Sequence, residues 1–209
     1  MEINTKIVKV IILVVICILL SMLYKENSRN QKYQAYFSQN LSNDQSQLIG
    51  SILGSREEVE QILSGNVSPE SKNNLIYSVN KISMKSQEYD EFSKYFNLID
   101  SHTIQNNTSV VAMYLETYFR KLDPMMLTQK DEENLKGILA LLDKWVEVID
   151  AEYDGITYQN QNEVIGHVLN EMRNDFFDSN IWRNVIIGLD RVSKDHMTFS
   201  ENLDIELIR

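Results

Sequence analysis

The sequence is poor in the residues that staple, kink or loosen a chain: among its 209 residues are one cysteine, two prolines and seven glycines. The cysteine, Cys17, lies in an apolar run near the N-terminus, so the remainder can form neither an internal disulfide nor a cysteine metal site and must be held by packing. That is compatible with an exported domain large enough to build a core. With only Pro69 and Pro124 to interrupt them, apolar residues recur at three- and four-residue intervals, which reads as all-α, helices joined by short turns. Basic residues are also scarce. After Lys32 there are fifteen, against twenty-eight acidic ones, a balance that repels phosphate backbones and anionic headgroups and argues against nucleic acid as a partner. Its simplest role is solubility, with attraction of cations or basic partners as the alternative. The chain also lacks a Gly-x-Ser-x-Gly elbow, a phosphate-binding glycine loop, a His-Glu-x-x-His pair and a dinucleotide fingerprint. With three scattered histidines besides, it reads as non-catalytic and without a cofactor.

The longest feature present is residues 7–24, apolar except for Lys9 and Ser21. At about 1.5 Å per residue the stretch spans roughly 27 Å as a helix, close to the ~30 Å hydrocarbon core of a bilayer. The stem of Lys9 can carry its ammonium out to the headgroups, and Tyr24 stands where an interfacial aromatic is favoured. A cleaved signal peptide is the competing reading, but Ser21-Met22-Leu23-Tyr24-Lys25 offers no pair of small residues at the spacing a signal peptidase reads. The stretch is therefore expected to be an uncleaved signal-anchor of a single-pass cell-membrane protein. Lys6 and Lys9 precede it and Lys25, Arg29 and Lys32 follow it, so the positive-inside rule does not choose a side. Leaving the very short N-terminal tail, residues 1–6, in the cytoplasm would place the C-terminal domain outside it.

Behind the anchor, residues 25–40 read as a juxtamembrane helical linker and residues 41–198 as one acidic bundle domain. Leu41, Leu48, Ile52, Val59 and Leu63 make the first apolar stripe, ended by Gly65-Asn66. Ser68-Pro69 offers an N-cap and a first-turn proline for a second helix carrying Leu75, Ile76, Val79, Ile82, Tyr89, Phe92, Phe96 and Ile99. After the polar run from Ser101 to Ser109, Val110, Met113, Tyr114, Tyr118 and Leu122 predict a shorter helix stopped by Asp123-Pro124. Thr128 with Asp131 and Glu132 starts the most amphipathic helix, whose face holds Leu135, Ile138, Leu139, Leu142, Trp145, Val146 and Ile149. Val164, Ile165, Val168, Leu169, Met172 and Phe176 mark another helix. Ser179 would cap a last one with Trp182, Val185, Ile186, Leu189 and Val192. Short connections predict an up-and-down bundle. In the C-terminal tail, residues 199–209, Leu203, Ile205 and Leu207 alternate with Asp204 and Glu206; a docked or frayed end is expected over a strand added to a partner's sheet.

Three clusters could carry chemistry. Asp150, Glu152, Asp154 and Gly155, with Glu163 behind them, resemble the first half of an EF-hand calcium loop, in which alternate acids present oxygens inward around a glycine turn. The resemblance implies a metal site at Asp150, Glu152, Asp154 and Glu163, but Gln161 stands where the closing bidentate glutamate belongs. A helix end capped by Gly155 among solvated acids is the favoured reading. Glu163, His167 and Glu171 share one helix face at i, i+4 and i+8, a geometry that suits a metal ion but is more simply a stripe of surface charge pairs. Gly50 and Gly54 form a GxxxG beyond the membrane stretch, expected to mark a helix crossing or a weakened turn. Asn40, Asn66, Asn106 and Asn107 fit the N-glycosylation pattern, which arises easily by chance in so asparagine-rich a chain.

In outline this organisation resembles the helical-bundle sensor domains of bacterial receptors, which begin with a membrane helix leading straight into a bundle. The likeness is architectural, since no second membrane segment and no output domain follow in this sequence. It implies a non-catalytic, membrane-anchored sensor or protein-binding domain that works through a protein partner or as a homo-oligomer. The alternatives are an accessory subunit of a membrane complex and, more remotely, a metal-dependent enzyme.

Overall fold

The computed structural model of the protein describes residues 5–205 except 101 and 173, so residues 1–4 of the N-terminal tail, Ser101 of the polar run, and Glu206 and Leu207 of the alternating tail lie outside the described residues. Among the described residues the regular structure is entirely helical: α1 (Thr5–Leu63), α2 (Ser71–Tyr95), α3 (Asn107–Lys121), α4 (Gln129–Asp150), α5 (Gln161–Glu171), a 3-10 turn (Phe176–Asp178), α6 (Asn180–Asp195) and α7 (Met197–Ile205). The all-α bundle read from the sequence is the fold.

The apolar run, the linker and the first stripe of the bundle are a single helix. At about 1.5 Å per residue, the 59 residues of α1 reach about 88 Å. Residues 7–24 are exposed throughout, and this part of α1 is long and apolar enough to cross a membrane. Burial begins at Ser38, after which Leu41, Leu48, Ile49, Ile52, Leu53, Val59 and Ile62 enter the core. The helix stops where the sequence says it should: Gly65, at φ +80°, sends its N–H to the Ile62 carbonyl while the Asn66 N–H reaches Gln61, a Schellman ending. α2 ends the same way with Asn97, at φ +53°, in the glycine's place; the Leu98 N–H bonds the Ser93 carbonyl and the Asn97 N–H that of Lys94.

The bundle closes as a ring. α1 packs on α2, α2 on α3, α3 on α6, α6 on α4, and α4 returns to α1, so after α3 the chain crosses to α1 rather than laying α4 beside α3. α5 lies on α1 and α7 on α3. Trp145 and Trp182 are fully buried in the shared core with Leu75, Leu115, Leu142 and Leu189. Two glycines allow close approach at helix crossings. A Cβ on Gly188 of α6 would lie 2.5 Å from Val148 Cγ1 of α4, and one on Gly137 of α4 would lie 2.5 Å from the ring of Phe199.

Two local expectations are corrected. Of the face assigned to α3, Tyr118 and Leu122 are buried, but Met113 is exposed, Val110 and Tyr114 are half-buried, and Val111, Ala112, Leu115 and Phe119 take the core positions. α2 begins at Ser71 rather than at Pro69; Pro69 and Glu70 form a turn, and the Ser68 N–H donates to Ser71 Oγ at 3.0 Å. Over its described residues the tail is docked, as expected: residues 199–205 continue α7, with Leu203 buried. Ser179 does hold the N-cap position of α6 in extended backbone, but its side chain makes no capping bond.

Candidate functional site

One concavity of the domain lies where α1 enters the bundle. α1 and α2 enclose a cleft of about 270 Å³. Leu41 and Tyr89, both nearly inaccessible, form its floor, and the Tyr89 hydroxyl donates to the Leu41 carbonyl at 2.5 Å, tying the two helices at that level. Half-buried Phe37 and Phe92, with ring centroids 5.9 Å apart, form a wall. Phe96 and Phe177 extend this wall, each within 6.0 Å of Phe37, and Trp182 stacks on Tyr89 at 5.6 Å. The rim is polar, made of Asn40, Asp44 and Glu88.

One ammonium serves both carboxylates of that rim. Lys85 Nζ lies 2.8 Å from Asp44 Oδ1 and 2.6 Å from Glu88 Oε2. Burial pulls its pKa down, but the hydrogen bonds and charges of the two acids outweigh that and raise it. The neighbouring cations are engaged elsewhere: Lys94 pairs with Asp90 at 2.7 Å, and Lys81 sits 4.8 Å above the Tyr77 ring. The cleft thus joins an apolar, aromatic interior to a rim with two negative charges and one positive.

The acidic residues singled out in the sequence are placed differently. Asp150 ends α4, and its Oδ1 accepts the Gly155 N–H at 2.9 Å; Gly155 sits at φ +70° as the turn requires. Glu152 accepts from Asn184 Nδ2 of α6 at 2.9 Å, Asp154 is exposed, and Glu163 lies exposed in the first turn of α5. Asn160 closes the loop by donating to the Gly155 carbonyl and accepting from the Thr157 N–H. Among the described residues no three His, Cys, Asp or Glu side chains come together as a metal-binding group. On the His167 face, Nδ1 stands 3.7 Å from Glu171 Oε1 with both side chains exposed. Gly50 and Gly54 mark the crossing of α1 by the segment leading into α5: their Cβ positions would meet Gln161 Oε1 at 2.9 Å and Tyr158 Cε2 at 3.5 Å.

A buried polar cluster went unnoticed in the sequence. Asp190 of α6, 4% exposed, accepts the backbone N–H groups of Gln105 (3.1 Å) and Asn107 (2.6 Å) and the Asn107 amide (3.0 Å). It therefore caps α3 from another helix, at a position where Asn106 sits at φ +60° and supplies no side-chain cap. Asn107 is thereby buried and unsuited to carry a glycan. Beside it Ser193 Oγ accepts from Trp145 Nε1 at 3.1 Å and bonds Thr108 Oγ1 and the Leu189 carbonyl. No known protein family, curated protein or solved structure matches this chain.

Proposed function

We propose that this protein is a membrane-anchored, non-catalytic helical module that senses a ligand or binds a protein partner on the extracytoplasmic side of a cell membrane. The observation that carries the reading is the continuity of α1, which runs as one helix from an exposed apolar segment into the wall and core of the bundle. Insertion of that segment is favourable. Thirteen Ile, Val and Leu side chains contribute about −0.3 to −0.6 kcal/mol each, against about 3 kcal/mol for a lysine even at the bilayer centre. Lys9 lies near the segment's end, where the cost is smaller.

A change in how α1 packs against α2 or α4 would be carried by the same helix to the bilayer, and nothing but this helix need move for a partner in the membrane to register it. A second reading, an accessory subunit of a membrane complex, is favoured by one surface. Tyr77 and Met84 of α2 and Met113 of α3 are exposed on the two helices joined by the Asn80–Glu116 hydrogen bond, large apolar side chains of the kind adaptable interfaces use.

The test has two parts on one preparation. The chain bearing Cys17→Ser and Asn73→Cys is expressed in cells, labelled with a membrane-impermeant maleimide, and the membranes are washed in alkaline carbonate. Retention in the membrane pellet with labelling of intact cells supports the reading. Release into the wash contradicts the anchor, and labelling only after lysis contradicts the extracytoplasmic placement.

A further inference from the structure

We propose that the α1–α2 cleft is a binding site for a small organic cation, an ammonium group on a compact aryl or alkyl body. Its shape sets the size class, since about 270 Å³ is at the small end of ligand pockets, suited to a metabolite-sized amine rather than a peptide or a lipid. Its lining sets the chemistry. The rings of Phe37 and Phe92, above the buried Tyr89, provide an apolar body site of the aromatic kind that also attracts cations. The rim carries Asp44 and Glu88 against a single Lys85, which leaves one negative charge of the rim uncompensated, and the nearby Lys94 is paired with Asp90. An anion would meet that net charge unfavourably, and a bare metal ion would have to compete with Lys85 for both carboxylates and would leave the aromatic wall unfilled. A monovalent organic cation satisfies both halves: its body displaces water from the apolar wall, and its charge completes the neutralisation of the rim.

The position gives binding a consequence. Phe37 immediately precedes Ser38, the first buried residue of α1, and an occupant touching Phe37, Asp44, Glu88 and Phe92 would fasten the emerging helix to α2. This consequence rests on the sensing reading above; the binding itself does not.

The test uses benzyltrimethylammonium chloride as probe and the full chain in a neutral detergent, with calorimetry at constant ionic strength and benzyl alcohol as the uncharged control. Saturable binding at millimolar concentration or tighter is expected for the cation and not for the alcohol. Glu88→Gln, an exposed site whose change leaves the core untouched, is expected to weaken binding about fivefold, the scale of one exposed charge pair. Lys85→Gln is expected to tighten it about threefold or more by freeing both carboxylates, a gain that simple damage to the fold would not produce. Absence of saturable heat, equal binding of the alcohol, or indifference to both substitutions overturns the site. These outcomes leave the anchor standing, whereas saturable binding by a chain that carbonate strips from membranes overturns the anchor and leaves the site.

Discussion

At the scale of single residues, the largest effect is assigned to Asp190. Its carboxylate answers three donors at the start of α3, and its removal leaves them buried without an acceptor. Asp190→Ala is expected to cost about 3 kcal/mol, read as a lower urea midpoint with unchanged slope, with the buried Trp145 and Trp182 as fluorescent reporters. Ser86 lines the same small space, yet its hydroxyl is buried with no partner among the described residues. Ser86→Ala is expected to leave the midpoint unchanged or to raise it, because nothing satisfied is lost. Equal losses for the two variants would contradict the assignment. No reading of the sequence could have found Asp190, because its partners lie 83 and 85 positions away and belong to a different helix. The Thr128–Asp131 capping box, in contrast, is wholly local. Thr128 Oγ1 accepts the Asp131 N–H at 3.1 Å, and Asp131 Oδ2 accepts the Thr128 N–H at 3.0 Å, as the spacing predicted.

The buried phenols give a residue-level dependence on pH. Burial raises the pKa of Tyr89 well above its usual value of 10.0, with the nearby Asp44 adding to the shift; burial also raises that of Tyr153, against the opposing influence of Gln45. A group whose pKa is higher in the folded state contributes stability that is complete below the unfolded value and is lost as pH rises past it. Stability should therefore be level below about pH 10 with respect to these two groups and fall above it by about 1.4 kcal/mol per pH unit for each phenol. Urea midpoints taken at pH 9 and pH 11 measure this. Tyr153→Phe is expected to halve the two-phenol contribution, and an unchanged slope would remove Tyr153 from the account.

At the scale of elements, two glycines in similar helical settings should respond with opposite sign. Alanine at Gly188 forces a methyl group to 2.5 Å from Val148, so α4 and α6 must part, at a cost of about 1–3 kcal/mol that exceeds the gain in helix propensity. Alanine at Gly166 in α5 meets nothing within 4 Å, and it is expected to stabilise by about 0.5–1 kcal/mol. Thermal unfolding of both variants decides the matter, and a stabilised Gly188→Ala would contradict the close packing of α4 on α6. The elements differ in how legible they are. α4 has a local cap and an amphipathic face whose Leu135, Ile138, Leu142, Trp145 and Ile149 are buried as the spacing implies, although Leu141 joins them and Leu139 and Val146 stay half-buried. α3 carries Val110, Met113 and Tyr114 on its outer side and hides Thr108 and Ser109 on its inner side, so its hydrophobic pattern pointed about one residue away from the true face. The core there is built partly from hydroxyls, with Ser83 and Ser109 paired at 2.8 Å, which a search for apolar periodicity passes over.

At the scale of the molecule, the anchor, the helical linker and the first core helix are one continuous rod. The sequence contains the reason, since no proline or glycine occurs before Gly50. The cleft beside Phe37 was not legible, because its two walls come from α1 and α2, and neither wall alone has a motif. The most direct test of the account is a distance along the rod. Nitroxide labels at exposed Asn27 and Gln47, introduced as cysteines in a Cys17→Ser chain and reconstituted in lipid nanodiscs, lie on either side of the point where α1 enters the bundle. Electron–electron resonance should give one narrow distribution centred at about 30 Å, the length of twenty helical residues. A broad distribution, or one centred well below that distance, would contradict a continuous helix between bilayer and bundle, and with it the route by which the domain is held to report to the membrane.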